Sequence, residues 1–125
     1  MDAHTVEQPE PEQFALASET FKLLADGTRL RILWELLQQE HSVGDLARCV
    51  GAQPAAVSQH LAKLRAAHLV RARRDGNRVY YDADDAHVRH LVEETLRHSA
   101  HLVPSTRVLG QEGGGSGESP VRTVA

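Results

Sequence analysis

Apolar residues recur with a helical period in the first third of the chain. From Pro11 onward, one apolar face runs to a break at Asp26-Gly27-Thr28, where Asp26 or Thr28 can cap a second helix. The spacing i, i+3, i+4, i+7 then recurs in the next segment. It is carried by Leu30, Leu33, Trp34 and Leu37. Two consecutive amphipathic helices are therefore predicted.

Two shorter helices separated by a tight turn follow. Ser42 with Asp45 three positions on matches a capping box, and Gly51 ends this first short helix. Pro54 suits the first turn of the next one, which is expected to run to His68 with Val57, Leu61 and Leu64 on one face. This arrangement is typical of a helix-turn-helix.

The period then changes from helical to extended. Residues 69–74 and 78–81 are β-prone and are separated by Asp75-Gly76-Asn77, which favours a hairpin. A hairpin directly after a helix-turn-helix is a wing. A last helix is predicted from about Asp85 to Leu102, before Pro104. The fold class is thus mainly α with a β-hairpin wing, a winged helix-turn-helix.

The two ends of the chain differ in composition from this region. Residues 1–11 are rich in Pro, Glu and Gln, and residues 103–125 in Gly and Ser, so a disordered arm and a flexible tail are predicted around a domain at residues 12–102. No apolar run reaches the roughly 18 residues of a membrane span, and the acidic N-terminus is unlike a signal peptide. We therefore expect a cytoplasmic protein without a membrane partner.

Charge is distributed unevenly along the chain. The net charge is −3, yet residues 29–81 carry nine Lys and Arg against four Asp and Glu, a local charge of +5. Because this segment holds the helix-turn-helix and the wing, double-stranded DNA is the expected partner.

Polar residues on the non-core side of the second short helix are candidates for DNA binding. Gln53, Ser58, Gln59 and His60 can hydrogen-bond base edges in a major groove. Lys63 and Arg65 are better suited to phosphates, as are Arg73, Arg74 and Arg78 of the hairpin. The alternative is an ordinary solvated helix and a charged hairpin edge.

Histidines crowd the last helix. The chain has eight, and His87, His90, His98 and His101 fall with Glu94 within an arc of about 80° on this helix. His87 and His98 lie about 16 Å apart along the axis, too far to share one ion within a single helix. If two copies pack antiparallel, Asp85 and His87 of one chain meet His98 and His101 of the other. Such a homodimer, joined through its terminal helices, has two four-ligand sites, provided that Asp85 lies at or before the N-cap. The alternative is a solvated histidine face.

The sequence resembles the ArsR/SmtB family of winged-helix metal-sensing repressors over about residues 12–102. The resemblance rests on LLADGTRLRILWELL, on SVGDLA followed by QPAAVSQHLAKLRAAHLV, on RRDGNRVYY, and on the pattern D-x-H-x10-H-x2-H formed by Asp85, His87, His98 and His101. It implies that the metal-free dimer represses from an operator and that metal at the intersubunit site weakens DNA binding. It also implies a link from the His98 imidazole to the backbone carbonyl of His68 at the end of the recognition helix.

The sequence departs from the thiolate-based members of this family. The Cys-x-Cys pair of those relatives is absent near Val43 and Gly44, and the one cysteine, Cys49, is interpreted as a packing residue. Three imidazoles and a carboxylate suit zinc, or cobalt, in tetrahedral geometry. Nickel would need further ligands, which His4 or His90 could supply. A winged-helix regulator that answers to a non-metal signal stays open. A zinc hydrolase is disfavoured because no general base or open coordination position is evident.

Overall fold

Five α-helices and three short β-strands make up residues 8–104, the part of the chain that the computed structural model describes. The elements are α1 (Pro11–Leu24), α2 (Gly27–Gln38), β1 (His41–Ser42), α3 (Val43–Val50), α4 (Pro54–Ala66), β2 (Arg71–Asp75), β3 (Arg78–Asp82) and α5 (Ala86–Ala100). The predicted fold class, mainly α with a β-hairpin wing, is confirmed. The predicted arm and tail lie largely in residues 1–7 and 105–125, outside the described residues.

Side chains that satisfy free backbone N–H groups fix the helix starts. The Asp26 carboxylate accepts from the Arg29 amide at 2.9 Å and caps α2. Ser42 and Asp45 form the predicted capping box at α3. Gly51 ends α3 in the left-handed region with φ 68°, where glycine is favoured. The stop at Gly51 and the start of α4 at Pro54 set the turn between α3 and α4, which confirms the predicted helix-turn-helix.

The core around the helix-turn-helix is aliphatic. Side chains from α2, α3 and α4 are less than 2% exposed: Ile32, Leu33, Leu36, Leu46, Val57, Leu61 and Leu64. Each such burial stabilises the fold by roughly 1.5–3 kcal/mol. Because Val57, Leu61 and Leu64 fix one face of α4 in this core, the opposite face of α4 is directed to solvent.

The wing belongs to a three-stranded antiparallel sheet of order β1-β3-β2. Arg73 pairs with Tyr80 and Arg74 with Val79, around a turn in which Gly76 has φ 68°. The third strand, β1, pairs His41 with Tyr81 and was not predicted. A two-residue strand has no measurable period, so only the long-range pairing reveals it.

Helix α4 ends at Ala66, two residues before the predicted end. His68 has φ 63°, while its amide donates to the Arg65 carbonyl and the Leu69 amide donates to the Leu64 carbonyl. This pair of bonds is a Schellman motif with histidine where glycine is usual.

Asp85 begins the second of two units into which the chain divides. It is the N-cap of α5, and its carboxylate accepts from the amides of His87 and Val88. The predicted N-cap position is confirmed, whereas the helix ends at Ala100, short of the predicted Leu102. Within residues 8–104, no helix has the length and apolar character needed to cross a membrane.

Candidate nucleic-acid interface and metal ligands

Helix α4 presents a polar face to solvent. Gln53, its N-cap, and the side chains of Ser58, Gln59, Lys63 and Arg65 are all exposed. The small residues between them, Ala55, Ala56 and Ala62, leave this face without bulky obstructions. The face therefore has the shape and the hydrogen-bonding groups to enter a major groove.

His60 differs from the other candidates on α4 because it faces α2. Its side chain is only 17% exposed, its Nδ1 accepts from the Arg29 Nε at 3.2 Å, and its Nε2 lies 3.9 Å from the Asp26 Oδ1. The backbone N–H of Arg29 is the main cause of the lowered pKa of Asp26. His60 thus ties α4 to the start of α2 through its Nδ1, and its side chain is largely turned away from solvent.

Arg73 of the wing is held by an acidic partner. Its guanidinium donates two bonds to the Glu40 carboxylate, both 2.9 Å long, and stacks 4.9 Å from the centroid of the Tyr80 ring. The hydrogen bond to Arg73 lowers the pKa of Glu40, and the same bond raises the pKa of Arg73. Arg73 is therefore charged but paired with Glu40 in this structure.

Arg74 and Arg78 of the wing, unlike Arg73, form no ion pair with a carboxylate in the described part of the chain. Both are exposed, and in the described part of the chain no carboxylate lies within 4.0 Å of either guanidinium. Arg78 donates to the Tyr80 hydroxyl at 3.5 Å, which is the first cause of its raised pKa, and the charge of Asp45 contributes further. The wing thus presents two available cations near its turn.

The four predicted metal ligands lie at the two ends of α5. Asp85 is the N-cap and His87 is in the first turn, while His98 is in the last turn and His101 is the C-cap. All four are exposed, as is His90. The backbone N–H of Val88 and then that of His87 lower the pKa of Asp85, so its carboxylate is ionised near neutral pH. His4 lies outside the described residues.

A further cluster of ligand-type side chains was missed by the sequence analysis. The Glu35 carboxylate, the His41 imidazole and the Cys49 thiol have ligand atoms that all lie within 4.8 Å of one another. They come from α2, β1 and α3. No spacing motif relates them, because the unpredicted strand β1 sets the position of His41.

Comparison with known proteins identifies the family. Residues 26–72 match the family described as bacterial regulatory protein, arsR family. The HTH-type transcriptional regulator KmtR of Mycobacterium tuberculosis is 46% identical over 99 residues, which are 77% of this chain and 76% of KmtR. The chain belongs to the arsR family.

Solved structures place this ArsR-family protein among winged helix-turn-helix regulators. The antimony-specific transcriptional repressor AntR matches with a TM-score of 0.70 at 30% identity, over 82% of this chain and 95% of AntR. A homodimeric winged helix-turn-helix DNA-binding domain, Mb0332 of Mycobacterium bovis, matches with a TM-score of 0.67 at 28% identity, over 81% of this chain and 95% of that one. The protein is accordingly a DNA-binding transcriptional regulator, and not an enzyme.

Proposed function

We propose that this ArsR-family protein is a metal-responsive repressor whose metal-free homodimer binds operator DNA. A divalent cation, with zinc favoured, binds between the terminal helices of the two subunits and lowers the DNA affinity. The observation that carries this proposal is the position of Asp85 at the N-cap of α5, with His98 and His101 at the other end of the same helix. AntR, whose structure matches this chain at 30% identity, is described as an antimony-specific transcriptional repressor.

The donor set fits zinc. Both backbone amides at the start of α5 donate to Oδ1 of Asp85, at 2.8 and 3.0 Å, which leaves Oδ2 for a cation. The ionised carboxylate and the exposed imidazoles of His87, His98 and His101 make a set of one oxygen and three nitrogens, which tetrahedral zinc accepts. When bound, the ion supplies a cross-link between Asp85 and His87 of one subunit and His98 and His101 of the other.

Exposed apolar surface supports a homodimer. Helix α1 has no buried residue, and its Phe14, Leu16 and Phe21 are 59%, 68% and 60% exposed. On α5, Leu96 is 38% exposed, and Leu102 beyond its end is 70% exposed. Large apolar side chains at this exposure favour association with a partner subunit. Mb0332 is itself described as homodimeric.

DNA recognition is assigned to α4 and the wing. Gln53, Ser58 and Gln59 read base edges, while Lys63 and Arg65 contact phosphates. Arg74 and Arg78 bind the backbone beside the groove, and Arg73 joins them when it leaves Glu40. His60 acts by holding the orientation of α4. Two copies of α4 must be spaced about 34 Å apart to enter successive major grooves, so the dimer geometry controls affinity.

Coupling of the two sites is assigned to His98 and His68. The proposed link is a hydrogen bond from the second ring N–H of His98 to the carbonyl of His68 at the end of α4. By linkage, if metal weakens DNA binding by some factor, DNA weakens metal binding by the same factor.

The test measures DNA affinity with and without metal. A duplex selected from a random library by the metal-free protein is titrated by fluorescence anisotropy, first without metal and then with zinc. Zinc should weaken binding by the wild-type protein and leave the His98→Ala variant unaffected. His90→Ala is the matched control, since His90 is exposed on the same helix but lies outside the four-ligand set. A zinc response retained in His98→Ala would refute the site.

A nickel or cobalt response is the second candidate. It is favoured by the exposure of His90 on α5, because an additional imidazole would extend the coordination beyond four. In that case His90→Ala would abolish a response to nickel that the wild type shows. If zinc, nickel and cobalt all leave the DNA affinity unchanged, the remaining function is that of a regulator that responds to a non-metal signal.

A further inference from the structure

A buried histidine nitrogen lacks a hydrogen-bond partner next to the helix-turn-helix. His41 is 7% exposed, and its Nε2 is the one buried side-chain polar atom in residues 8–104 that has no partner. The nearest carboxylate oxygen, Oε1 of Glu35, lies 3.9 Å away, beyond hydrogen-bonding distance. Burying a polar atom without a hydrogen-bond partner is unfavourable. The unpaired nitrogen of His41 therefore points to a bound partner, such as a metal ion.

The side chains around this nitrogen are metal ligands of three kinds. Glu35 is half-buried, and Cys49 is exposed at the outer side of the cluster. Their ligand atoms and the His41 nitrogen lie within 4.8 Å of one another. Ligands of a tetrahedral zinc ion are about 3.4–3.6 Å apart, given zinc–ligand bonds of 2.0–2.3 Å. A closure of about 1 Å, within reach of side-chain rotation, would complete the site.

The backbone around the cluster is well anchored. Strand β1 holds His41 by pairing with Tyr81, and Arg31 of α2 donates from Nη2 to the Cys49 carbonyl at 3.2 Å. The second contact joins α2 to the end of α3, which carries the thiol. The three ligands therefore come from elements with fixed relative positions.

We propose that Glu35, His41 and Cys49 form a second metal site, which binds a thiophilic divalent cation such as zinc within a single subunit. The Cys49 thiol loses its proton to solvent on binding, and the ion is held by one thiolate, one imidazole and one carboxylate. Water occupies the fourth position on the exposed side. The site is independent of the intersubunit site, because all three ligands belong to one chain.

Two simpler interpretations leave part of the cluster unexplained. An ion pair between a protonated His41 and Glu35 would account for those two residues but not for the adjacent thiol. A cysteine that serves only to pack would be buried, whereas Cys49 is exposed.

The sulfur makes this site distinguishable by spectroscopy. The chain has one cysteine and the α5 ligands include none, so any thiolate-to-cobalt charge-transfer absorption arises from Cys49. The full-length, reduced protein carrying His87→Ala and His98→Ala is titrated with Co²⁺. The absorption should saturate at one cobalt per subunit, disappear when zinc is added, and be absent after Cys49→Ser.

Two further variants distinguish a metal site with three protein ligands from cobalt binding by the exposed Cys49 thiol alone. Glu35→Gln should weaken cobalt binding at least about tenfold. Glu40→Gln is the matched control, because Glu40 adjoins His41 in sequence but is bonded to Arg73, and cobalt affinity should not change. Circular dichroism of each variant checks folding. The proposal is overturned if no charge-transfer band develops, if it saturates at one cobalt per two subunits, or if Glu35→Gln binds as tightly as Glu40→Gln.

Discussion

Replacing Arg74 with alanine should weaken operator binding more than replacing Arg73, although the two residues are adjacent in β2. Arg73 is bonded to Glu40 through two 2.9 Å hydrogen bonds, and it must break them before it can bind a phosphate. Arg74 is exposed and has no carboxylate within 4.0 Å among residues 8–104. In the proposed dimer, Arg74 is thus the more available cation on each wing.

The size of the effect follows from counterion release. Each phosphate contact contributes about 0.9 to the slope of log affinity against log salt concentration. A dimer has two wings, so Arg74→Ala should make the slope shallower by about 1.8. Between about 50 and 200 mM salt, the wild type should therefore lose about tenfold more affinity than the variant. Arg73→Ala should change the slope by much less.

Anisotropy titrations at four or more salt concentrations, on a selected and on a random duplex, measure these slopes. Arg74→Ala should lower affinity for both duplexes by similar factors, because phosphate contacts carry no sequence information. Glu40→Gln is the complementary variant, since releasing Arg73 should make the slope steeper. Equal salt-dependence slopes for Arg73→Ala and Arg74→Ala would refute the inference that the ion pair with Glu40 keeps Arg73 from binding a DNA phosphate.

Three further predictions concern stability and pH. His68→Gly should stabilise the fold by about 0.5–1 kcal/mol, because the removal of about 1–2 kcal/mol of left-handed backbone strain outweighs an entropic cost of about 0.5–1 kcal/mol for folding glycine. Calorimetry should show a higher melting temperature for His68→Gly than for His68→Ala. Equal melting temperatures would contradict this prediction. Leu61→Ala, at a side chain 1% exposed in the core, should cost about 2–5 kcal/mol in urea unfolding, whereas exposed Ala62→Ser should stay within about 0.5 kcal/mol. The lowered pKa of Asp85 means that its cap is stabilising above its ordinary value of 3.8 and is lost as the pH falls through the lower folded-state pKa. Helical circular dichroism should consequently decline in strong acid more in the wild type than in Asp85→Asn, and identical acid profiles would argue against the cap.

Features that depend on neighbours in sequence were predictable. The caps at Asp26, Ser42 and Asp85 and the stop at Gly51 each involve groups within five residues, so residue type and spacing identified them. The same holds for the wing turn at Gly76. The helix-turn-helix and the wing followed from these local rules, together with the apolar face that α4 buries. The predicted face of α2 was only partly right, because Trp34 is 37% exposed while Ile32 and Leu36 are buried beside Leu33 and Leu37.

Contacts between distant residues could not be predicted from spacing. Arg73 and Glu40 are 33 positions apart, and Arg29 and His60 are 31 apart. Both pairs change the interpretation of residues expected on the DNA surface, because Arg73 is bonded to Glu40 and His60 faces α2. The cluster of Glu35, His41 and Cys49 was missed for the same reason, since it needs α2, β1 and α3 brought together. The Cys49 side chain, expected to pack, is exposed.

The two proposed metal sites should respond differently to protein concentration. The intersubunit site takes Asp85 and His87 from one chain and His98 and His101 from the other, so its metal affinity includes the free energy of dimerisation. The site at Glu35, His41 and Cys49 needs one chain, and its affinity should not change on dilution. Below the dissociation constant of the dimer, cobalt should still bind the thiolate site while the DNA response is lost. A charge-transfer titration that weakens on dilution would instead mean that the thiol is shared between subunits.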